Sequence, residues 1–137
     1  MKRETETRLR VWILTVAYLA LIFGISSIPQ APLSATCIKV SDKLAHMAEY
    51  AGFGVLLTLA LRRTLSSVRL WVVLLMVVGL GAGVGALDET YQLTVPGRET
   101  ELLDWVADVA GILVGYLVAA AFYMRSRGTP QEQQGEA

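Results

Sequence analysis

The stretch that divides the apolar part of this chain reads Leu87-Asp88-Glu89-Thr90-Tyr91-Gln92-Leu93-Thr94-Val95-Pro96-Gly97-Arg98. A long apolar run precedes it and another follows it. Ionisable and amide side chains are costly in hydrocarbon, and where they occur in membrane proteins they usually mark functional positions. Pro96-Gly97 is a turn signal. The stretch therefore predicts a polar connection between two membrane-spanning helices.

The composition of the whole chain indicates a membrane protein. Of the 137 residues, 54% are hydrophobic, above the roughly 45–50% of soluble domains, and the mean hydropathy is +0.51. Four runs approach the roughly 20 residues that span a bilayer. They are Val11–Ile28, Leu44–Leu61, Leu70–Leu87 and Leu102–Met124. We predict an all-α membrane protein, a four-helix transmembrane bundle over residues 11–124, with a cytoplasmic lead (1–10) and a disordered cytoplasmic tail (125–137).

The basic residues are unevenly distributed between the connections. Nine of the twelve lie before the first run, between the second and third, or after the fourth. Cytoplasmic segments of membrane proteins are enriched in Lys and Arg. Both termini are therefore predicted to be cytoplasmic, and the stretch 87–98 is predicted to face outside. In the outer regions eight acids stand against three basic residues.

The second run begins with a polar segment, for which Ser41 or Asp42 is the predicted N-cap. Its polar residues recur every three or four positions, and about 3.6 residues per turn places them on one stripe. The stripe consists of Asp42, His46, Glu49 and Tyr50, with Lys43 beside it. The third run continues this pattern, because Asp88 and Gln92 lie four residues apart.

The fourth run carries acids above small residues on one face, in the order Asp104, Asp108, Gly111 and Gly115. The glycines are expected to pack on a neighbouring helix. Because the polar ends of three helices meet at one membrane surface, we predict an outward-facing polar cavity. Its predicted binding residues are Asp42, Lys43, His46, Tyr50, Asp88, Glu89, Gln92, Arg98, Asp104 and Asp108. Polar pairs that only hold helices together are the alternative, but fewer residues would suffice for that.

The chemistry of this set leaves several uses open for His46, which could be a general base, a proton carrier or a metal ligand. One histidine among several acids and a lysine lacks the spaced ligand set of typical metal sites, so we predict no metal and no cofactor. The excess of acids suits a cationic or hydroxyl-rich ligand better than a bare phosphate. No nucleic-acid-binding signature is present.

The third run also contains glycines four residues apart, at positions 79 and 83 and at 81 and 85. This spacing lets two helices approach closely. It predicts either an internal helix contact or a homo-oligomer through the third helix.

Four motifs occur in the order typical of one family. They are Ser26-Ser27-Ile28-Pro29, Asp42-Lys43-x-x-His46-x-x-x-Tyr50, Asp88-Glu89-x-x-Gln92-x-x-x-Pro96-Gly97-Arg98, and Asp104-x-x-Ala107-Asp108-x-x-Gly111. Over residues 10–124 the chain resembles the VanZ-like family, named for a protein linked to teicoplanin resistance. It departs from the family at Asp108, which is often Asn, and at Glu49, which is often aromatic. Both changes make the predicted cavity more acidic.

The resemblance implies a small multi-pass protein of the bacterial cell membrane, with a role outside the membrane. The leading hypothesis is a protein whose outer cavity engages a lipid-linked cell-wall component or a glycopeptide antibiotic and lowers antibiotic susceptibility. Membrane lipids are the other expected partners. The alternative is an enzyme acting on a lipid headgroup or lipid-linked sugar.

In that enzyme His46 would work with Asp88 or Glu89, while Arg98 and Lys43 would hold a phosphate. An ion or proton transporter is disfavoured, because the inner halves of the spans carry no charged residue.

Overall fold

The structure is a computed structural model that describes residues 2–29, 36–98 and 100–127. It contains four helices and, within these ranges, no strand: α1 (Lys2–Ser26), α2 (Thr36–Thr64), α3 (Leu70–Gln92) and α4 (Leu102–Arg127). All four are long and apolar enough to cross a membrane. The prediction of a four-helix transmembrane protein is therefore confirmed. Most of the predicted disordered tail, residues 128–137, lies outside the described residues.

The helices extend beyond the predicted apolar runs. Helix α1 includes nearly all of the predicted polar lead, which has no Gly or Pro to interrupt a helix. Helix α2 begins at Thr36, so Ser41 and Asp42 lie inside the helix and the predicted N-cap is wrong. No helix breaker separates residues 36–41 from the rest of α2, and the helix therefore starts a turn and a half earlier. Helix α3 continues through Asp88 to Gln92.

Helix α2 lies at the centre of the bundle, and its contact with α4 is the most extensive one. Glycine makes this contact close. A Cβ atom at Gly111 would collide with the carbonyl oxygen of Met47, and one at Gly115 would collide with that of Ala51. On the other side, a Cβ at Gly54 would lie 2.7 Å from the carbonyl oxygen of Ile112. The predicted packing of the glycine face of α4 on a neighbouring helix is confirmed.

The interior and the surface of the bundle are both apolar over most of the length. Buried side chains of all four helices form one core of Ile22, Tyr50, Phe53, Leu57, Leu61, Val73, Val77, Ile112, Tyr116 and Ala120. Large apolar side chains such as Leu75, Leu117 and Phe122 are exposed on the outside. An apolar exterior is what a helix bundle in lipid requires.

The two ends of the bundle differ in chemistry. At the end that we call the basic end, Arg62 donates hydrogen bonds to the carbonyl oxygen of Val68 and the hydroxyl of Tyr123. At the other end, here called the polar end, the end of α1, the start of α2, the end of α3 and the start of α4 meet. The turn after α3 is closed by Gly97 with a positive φ of 79°.

Candidate functional site

The polar end gathers side chains from all four helices and from the α3–α4 connection. We call this group the polar cluster, and its members are Ser26, Asp42, Lys43, His46, Asp88, Glu89, Gln92, Arg98, Glu101, Asp104 and Asp108. Nine of the ten predicted binding residues are members. The tenth, Tyr50, is fully buried in the core, and its ring packs edge-on against Phe53 with centroids 6.3 Å apart.

One part of the polar cluster joins α1 to α3 through a buried carboxylate. Oδ2 of Asp88 accepts hydrogen bonds from the hydroxyl of Ser26 at 2.9 Å and from Nε2 of Gln92 at 3.1 Å. Asp88 and Gln92 share a helix face, as their spacing predicts. Next to this group the hydroxyls of Ser27 and Tyr91 lie 2.8 Å apart. A fully buried carboxylate with two donors stabilises the contact between α1 and α3.

A second part joins α2 to α4 by an ion pair. The ammonium group of Lys43 lies 2.7 Å from Oε2 of Glu101 and 2.6 Å from Oδ1 of Asp104. Asp104 is almost fully buried, whereas Lys43 and Glu101 are about one quarter exposed. Lys43 therefore neutralises Asp104 in the first turn of α4 and Glu101 just before that helix, and it is not free to hold a phosphate by itself.

The innermost part contains His46, Asp108 and Glu89. Nδ1 of His46 lies 3.0 Å from Oδ1 of Asp108, and both side chains are buried. The other oxygen of Asp108, both carboxylate oxygens of Glu89 and the hydroxyl of Tyr50 are buried without a hydrogen-bond partner among the described residues. Buried polar groups in native proteins normally have partners. Oδ1 of Asp88 at the same end and Nε of Arg62 at the basic end also lack a partner among the described residues. Most of the buried polar atoms without a partner therefore lie at the polar end, where a ligand could supply the missing interactions.

Arg98 reaches away from this inner region. Its guanidinium group donates to the carbonyl oxygens of Ile25 and Ile28 at 3.2 and 3.4 Å, and to Oε1 of Gln92 at 3.4 Å. Basic side chains at the carboxyl end of a helix satisfy carbonyl groups that have no partner within the helix. Arg98 thus ties the α3–α4 connection to the end of α1.

A groove between α3 and α4 leads to the polar cluster from the side of the bundle. Its volume is about 360 Å³, and it is lined by Ala86, Glu89, Thr100, Glu101, Leu102 and Trp105. The indole of Trp105 is held in place because its Nε1 donates to the carbonyl oxygen of Ala82 at 3.0 Å. The groove joins an apolar wall to two carboxylates.

The structure changes the roles of some residues within the predicted set. The acid that is hydrogen-bonded to His46 is Asp108, whereas the enzyme hypothesis paired His46 with Asp88 or Glu89. Ser26 and Glu101 belong to the polar cluster but were not among the predicted binding residues. Their positions were visible in the sequence, since Ser26 ends the first run and Glu101 precedes the fourth by one residue. The sequence did not show which side chains on other helices would bond to them.

Two groups of these side chains have the geometry of potential metal ligands. The first group consists of Asp42, His46 and Asp104, and the second of His46, Glu89 and Asp108. In each group, one potential ligand atom from each residue lies within 4.8 Å of the other two. The sequence-based prediction of no metal considered spacing along the chain. In the folded protein three helices contribute the second group.

Comparison with known proteins places the chain in a family. A family model described as VanZ/LLP1 matches residues 5–123, which include all four helices except their outermost residues. Searches of curated proteins and of solved structures gave no match.

Proposed function

Because the chain belongs to the VanZ/LLP1 family, we propose that it is a binding protein of the bacterial cell membrane. Its outward-facing polar end would engage a lipid-linked cell-envelope component or a glycopeptide antibiotic, and would lower susceptibility to that antibiotic. The family resemblance suggests the antibiotic. The site itself supports a ligand with both an apolar and a polar part.

The observation that carries this proposal is the groove between α3 and α4. Ala86, Leu102 and Trp105 offer it an apolar wall. Glu101 adds a partly exposed carboxylate that is paired with Lys43, and Glu89 lines the groove although its carboxylate oxygens are buried. Ligand sites commonly combine an apolar lining with a few convergent polar groups. A ligand that carries a lipid chain beside hydroxyl or amino groups matches this lining, because the chain can lie along the apolar wall while its polar groups meet the carboxylates.

The charge balance favours such a polar group over a bare phosphate. The described side chains of the polar cluster include six acids but only two basic residues, Lys43 and Arg98, and one histidine. Both basic side chains already have partners. An added anion would meet unpaired carboxylates, whereas hydroxyl or ammonium groups could donate to them.

The first experiment measures glycopeptide susceptibility. The chain is expressed in a susceptible bacterium, and the inhibitory concentration of teicoplanin is compared with that of an empty vector. Asp88→Asn, His46→Ala and Leu102→Gln are expected to reduce the protective effect. Leu103→Gln is the matched control, since Leu102 and Leu103 are adjacent and exposed but only Leu102 lines the groove.

Equal protection by all four variants, at equal amounts in the membrane, would exclude the groove and polar cluster as the site. A direct readout is the fluorescence of Trp105 in a Trp12→Phe, Trp71→Phe background, titrated with teicoplanin or with a lipid-linked disaccharide in detergent. Binding is expected to change the emission, because Trp105 lines the groove.

A second candidate function, an enzyme acting on a lipid headgroup or lipid-linked sugar, is favoured by one specific observation. His46 is held by a buried carboxylate at 3.0 Å, which is how a general base is commonly oriented. The discriminating measurement is turnover. Envelope lipids are incubated with purified protein and analysed by mass spectrometry, and lipids that are bound but chemically unchanged would contradict this candidate.

A further inference from the structure

Three buried side chains from three helices converge at the inner part of the polar cluster. One imidazole nitrogen of His46 and one carboxylate oxygen each of Glu89 and Asp108 lie within 4.8 Å of one another. Ligands about 2.0–2.2 Å from one Zn²⁺ are about 3.3–3.6 Å apart in a tetrahedron. Atoms no more than 4.8 Å apart therefore need to move by less than about 1 Å each to bind one ion. We infer that His46, Glu89 and Asp108 bind a divalent transition-metal cation.

An independent observation supports a cation at this position. Both carboxylate oxygens of Glu89 and Oδ2 of Asp108 are buried and have no hydrogen-bond partner among the described residues. The exposed fractions of the two side chains are small, with 9% for Glu89 and 0% for Asp108. Burying a carboxylate without a partner is strongly unfavourable, and buried charges are normally paired or coordinate metals. A cation between these oxygens would supply the missing interaction.

The protein's own basic side chains do not supply it. Lys43 is paired with Glu101 and Asp104, and Arg98 donates to the end of α1 and to Gln92. Of the basic residues whose side chains the structure describes, these two belong to the polar end. The two charges of a divalent cation would balance the carboxylates of Glu89 and Asp108, with His46 as a neutral ligand.

The ligand chemistry selects the kind of cation. Imidazole nitrogen suits zinc and other transition metals, and Mg²⁺ and Ca²⁺ prefer sites made of oxygen alone. One nitrogen with two carboxylates therefore fits Zn²⁺ or Mn²⁺. Three protein ligands leave at least one coordination position open. Since Glu89 also lines the groove, a polar group of a molecule in the groove could take that position.

The second group of potential ligands, Asp42, His46 and Asp104, fits a cation less well. Oδ1 of Asp104 accepts a hydrogen bond from the ammonium group of Lys43 at 2.6 Å. A metal ion there would be repelled by this positive charge. The two groups share His46, and one nitrogen of this histidine can bind a metal ion in only one of them. The buried oxygens without a hydrogen-bond partner belong to Glu89 and Asp108, and therefore favour the group that contains Glu89.

The test uses the full chain, purified in detergent without chelator and with any histidine tag removed. Metal content is measured by inductively coupled plasma mass spectrometry. The protein is then stripped with a chelator and titrated with Zn²⁺, Mn²⁺, Mg²⁺ and Ca²⁺ while thermal unfolding is followed. We expect about one equivalent of Zn²⁺ or Mn²⁺ per chain, and a rise in Tm with these two ions that Mg²⁺ and Ca²⁺ do not match.

Two matched variants locate the site. Glu89→Gln removes a ligand charge while keeping the shape, and is expected to weaken metal affinity by at least about tenfold, since even outer-shell changes cost 10–100-fold. Glu49→Gln is the same change on a half-buried glutamate outside both ligand groups, and Asp104→Asn alters the competing group. Both are expected to retain the metal.

The inference does not depend on what the groove binds, and its failure is distinct from failure of the susceptibility assay. Wild-type protein that retains no metal and shows no rise in Tm with Zn²⁺ or Mn²⁺ would overturn it. Loss of metal in Asp104→Asn but not in Glu89→Gln would also overturn it. If Glu89→Gln does not fold, Asp108→Asn serves in its place as a change of the same kind at another ligand of the group, and metal affinity unchanged from wild type in that variant would contradict the inference.

Discussion

The carboxylates of the polar end differ in how the protein satisfies them. Oδ2 of Asp88 accepts two hydrogen bonds, from Ser26 and Gln92, while its Oδ1 has no partner among the described residues. Asp104 forms an ion pair with Lys43. Glu89 accepts no hydrogen bond among the described residues. The first two therefore contribute to holding helices together, in accord with the role of polar contacts as interhelical bonds. The third is available for a ligand.

The contribution of Asp88 can be measured by substitution. Asp88→Ala removes the acceptor of two buried donors on Ser26 and Gln92, and is expected to destabilise the protein by about 1–3 kcal/mol. Asp88→Asn is expected to cost less, because its amide oxygen can still accept from Ser26. The measurement is the free energy of unfolding in mixed micelles titrated with sodium dodecyl sulfate.

The matched control for this prediction is Thr90→Ala. Thr90 lies two residues further along α3 and is exposed, and within the described part of the chain its hydroxyl donates to the carbonyl oxygen of Ala86 in the same helix. Its substitution is expected to change the free energy of unfolding by less than about 0.5 kcal/mol. The double variant Ser26→Ala, Asp88→Ala is expected to cost less than the sum of the two single changes, since both remove one contact. Strict additivity would show that the contact contributes nothing.

At the scale of helices, small residues determine which pairs lie close together. Gly111 and Gly115 put the backbone of α4 directly on α2. Glycines of α3 are divided between two faces. Gly81 faces the side chain of Ile112, whereas a Cβ at Gly79 or Gly83 would meet nothing within 4 Å. The alternatives of internal contact and homo-oligomer therefore concern different glycines, and the expected oligomer stays a prediction for the open face.

The close contact between α2 and α4 gives a prediction with an internal control. Gly111→Ala places a Cβ against the carbonyl oxygen of Met47, so the two backbones must separate. We expect destabilisation of at least about 1–3 kcal/mol, measured by unfolding in mixed micelles and by the yield of monodisperse protein. Gly24→Ala, on α1 where a Cβ atom would meet nothing within 4 Å, is expected to be neutral or stabilising by up to about 1 kcal/mol. Similar destabilisation by both changes would contradict the assigned helix contact.

The helices and their faces could largely be predicted from the sequence, and their ends and partners could not. Hydropathy identifies four spans because each must be apolar over its length, and the spacing of Asp42, His46, Asp104 and Asp108 places these residues on inward faces. The start of α2 was missed because its first turn, from Thr36, is not part of an apolar run. The pairing of His46 with Asp108 depends on the register of α2 against α4, which is set by glycine contacts that spacing within one helix does not encode.

The contacts of Arg98 are a second feature that could not be predicted from the sequence. Arg98 was predicted as a binding residue of the cavity, and only the enzyme hypothesis had it hold a phosphate together with Lys43. In the structure it donates to carbonyl oxygens at the carboxyl end of α1. A sequence shows how many charges a connection carries, but backbone groups that compete for them appear only when helix ends are brought together.

For the molecule as a whole, the separation of a basic end from a polar end leads to a prediction of its orientation. Nine of the twelve basic residues lie in segments that belong to the basic end, and such segments are retained in the cytoplasm. We therefore predict that the polar cluster faces outside, where a glycopeptide or a lipid-linked cell-wall component could reach it.

The orientation can be tested by cysteine labelling in intact cells, after the single native cysteine is removed by Cys37→Ser. Ser66→Cys lies in the α2–α3 connection and Thr94→Cys in the α3–α4 connection, and both positions are exposed. With a thiol reagent that does not cross membranes, Thr94→Cys is expected to react in intact cells, and Ser66→Cys only after permeabilisation. The two variants control for each other, because each must react with the same reagent once the membrane is opened. The reverse pattern would place the polar cluster in the cytoplasm, and a glycopeptide acting outside the membrane could then not be its ligand.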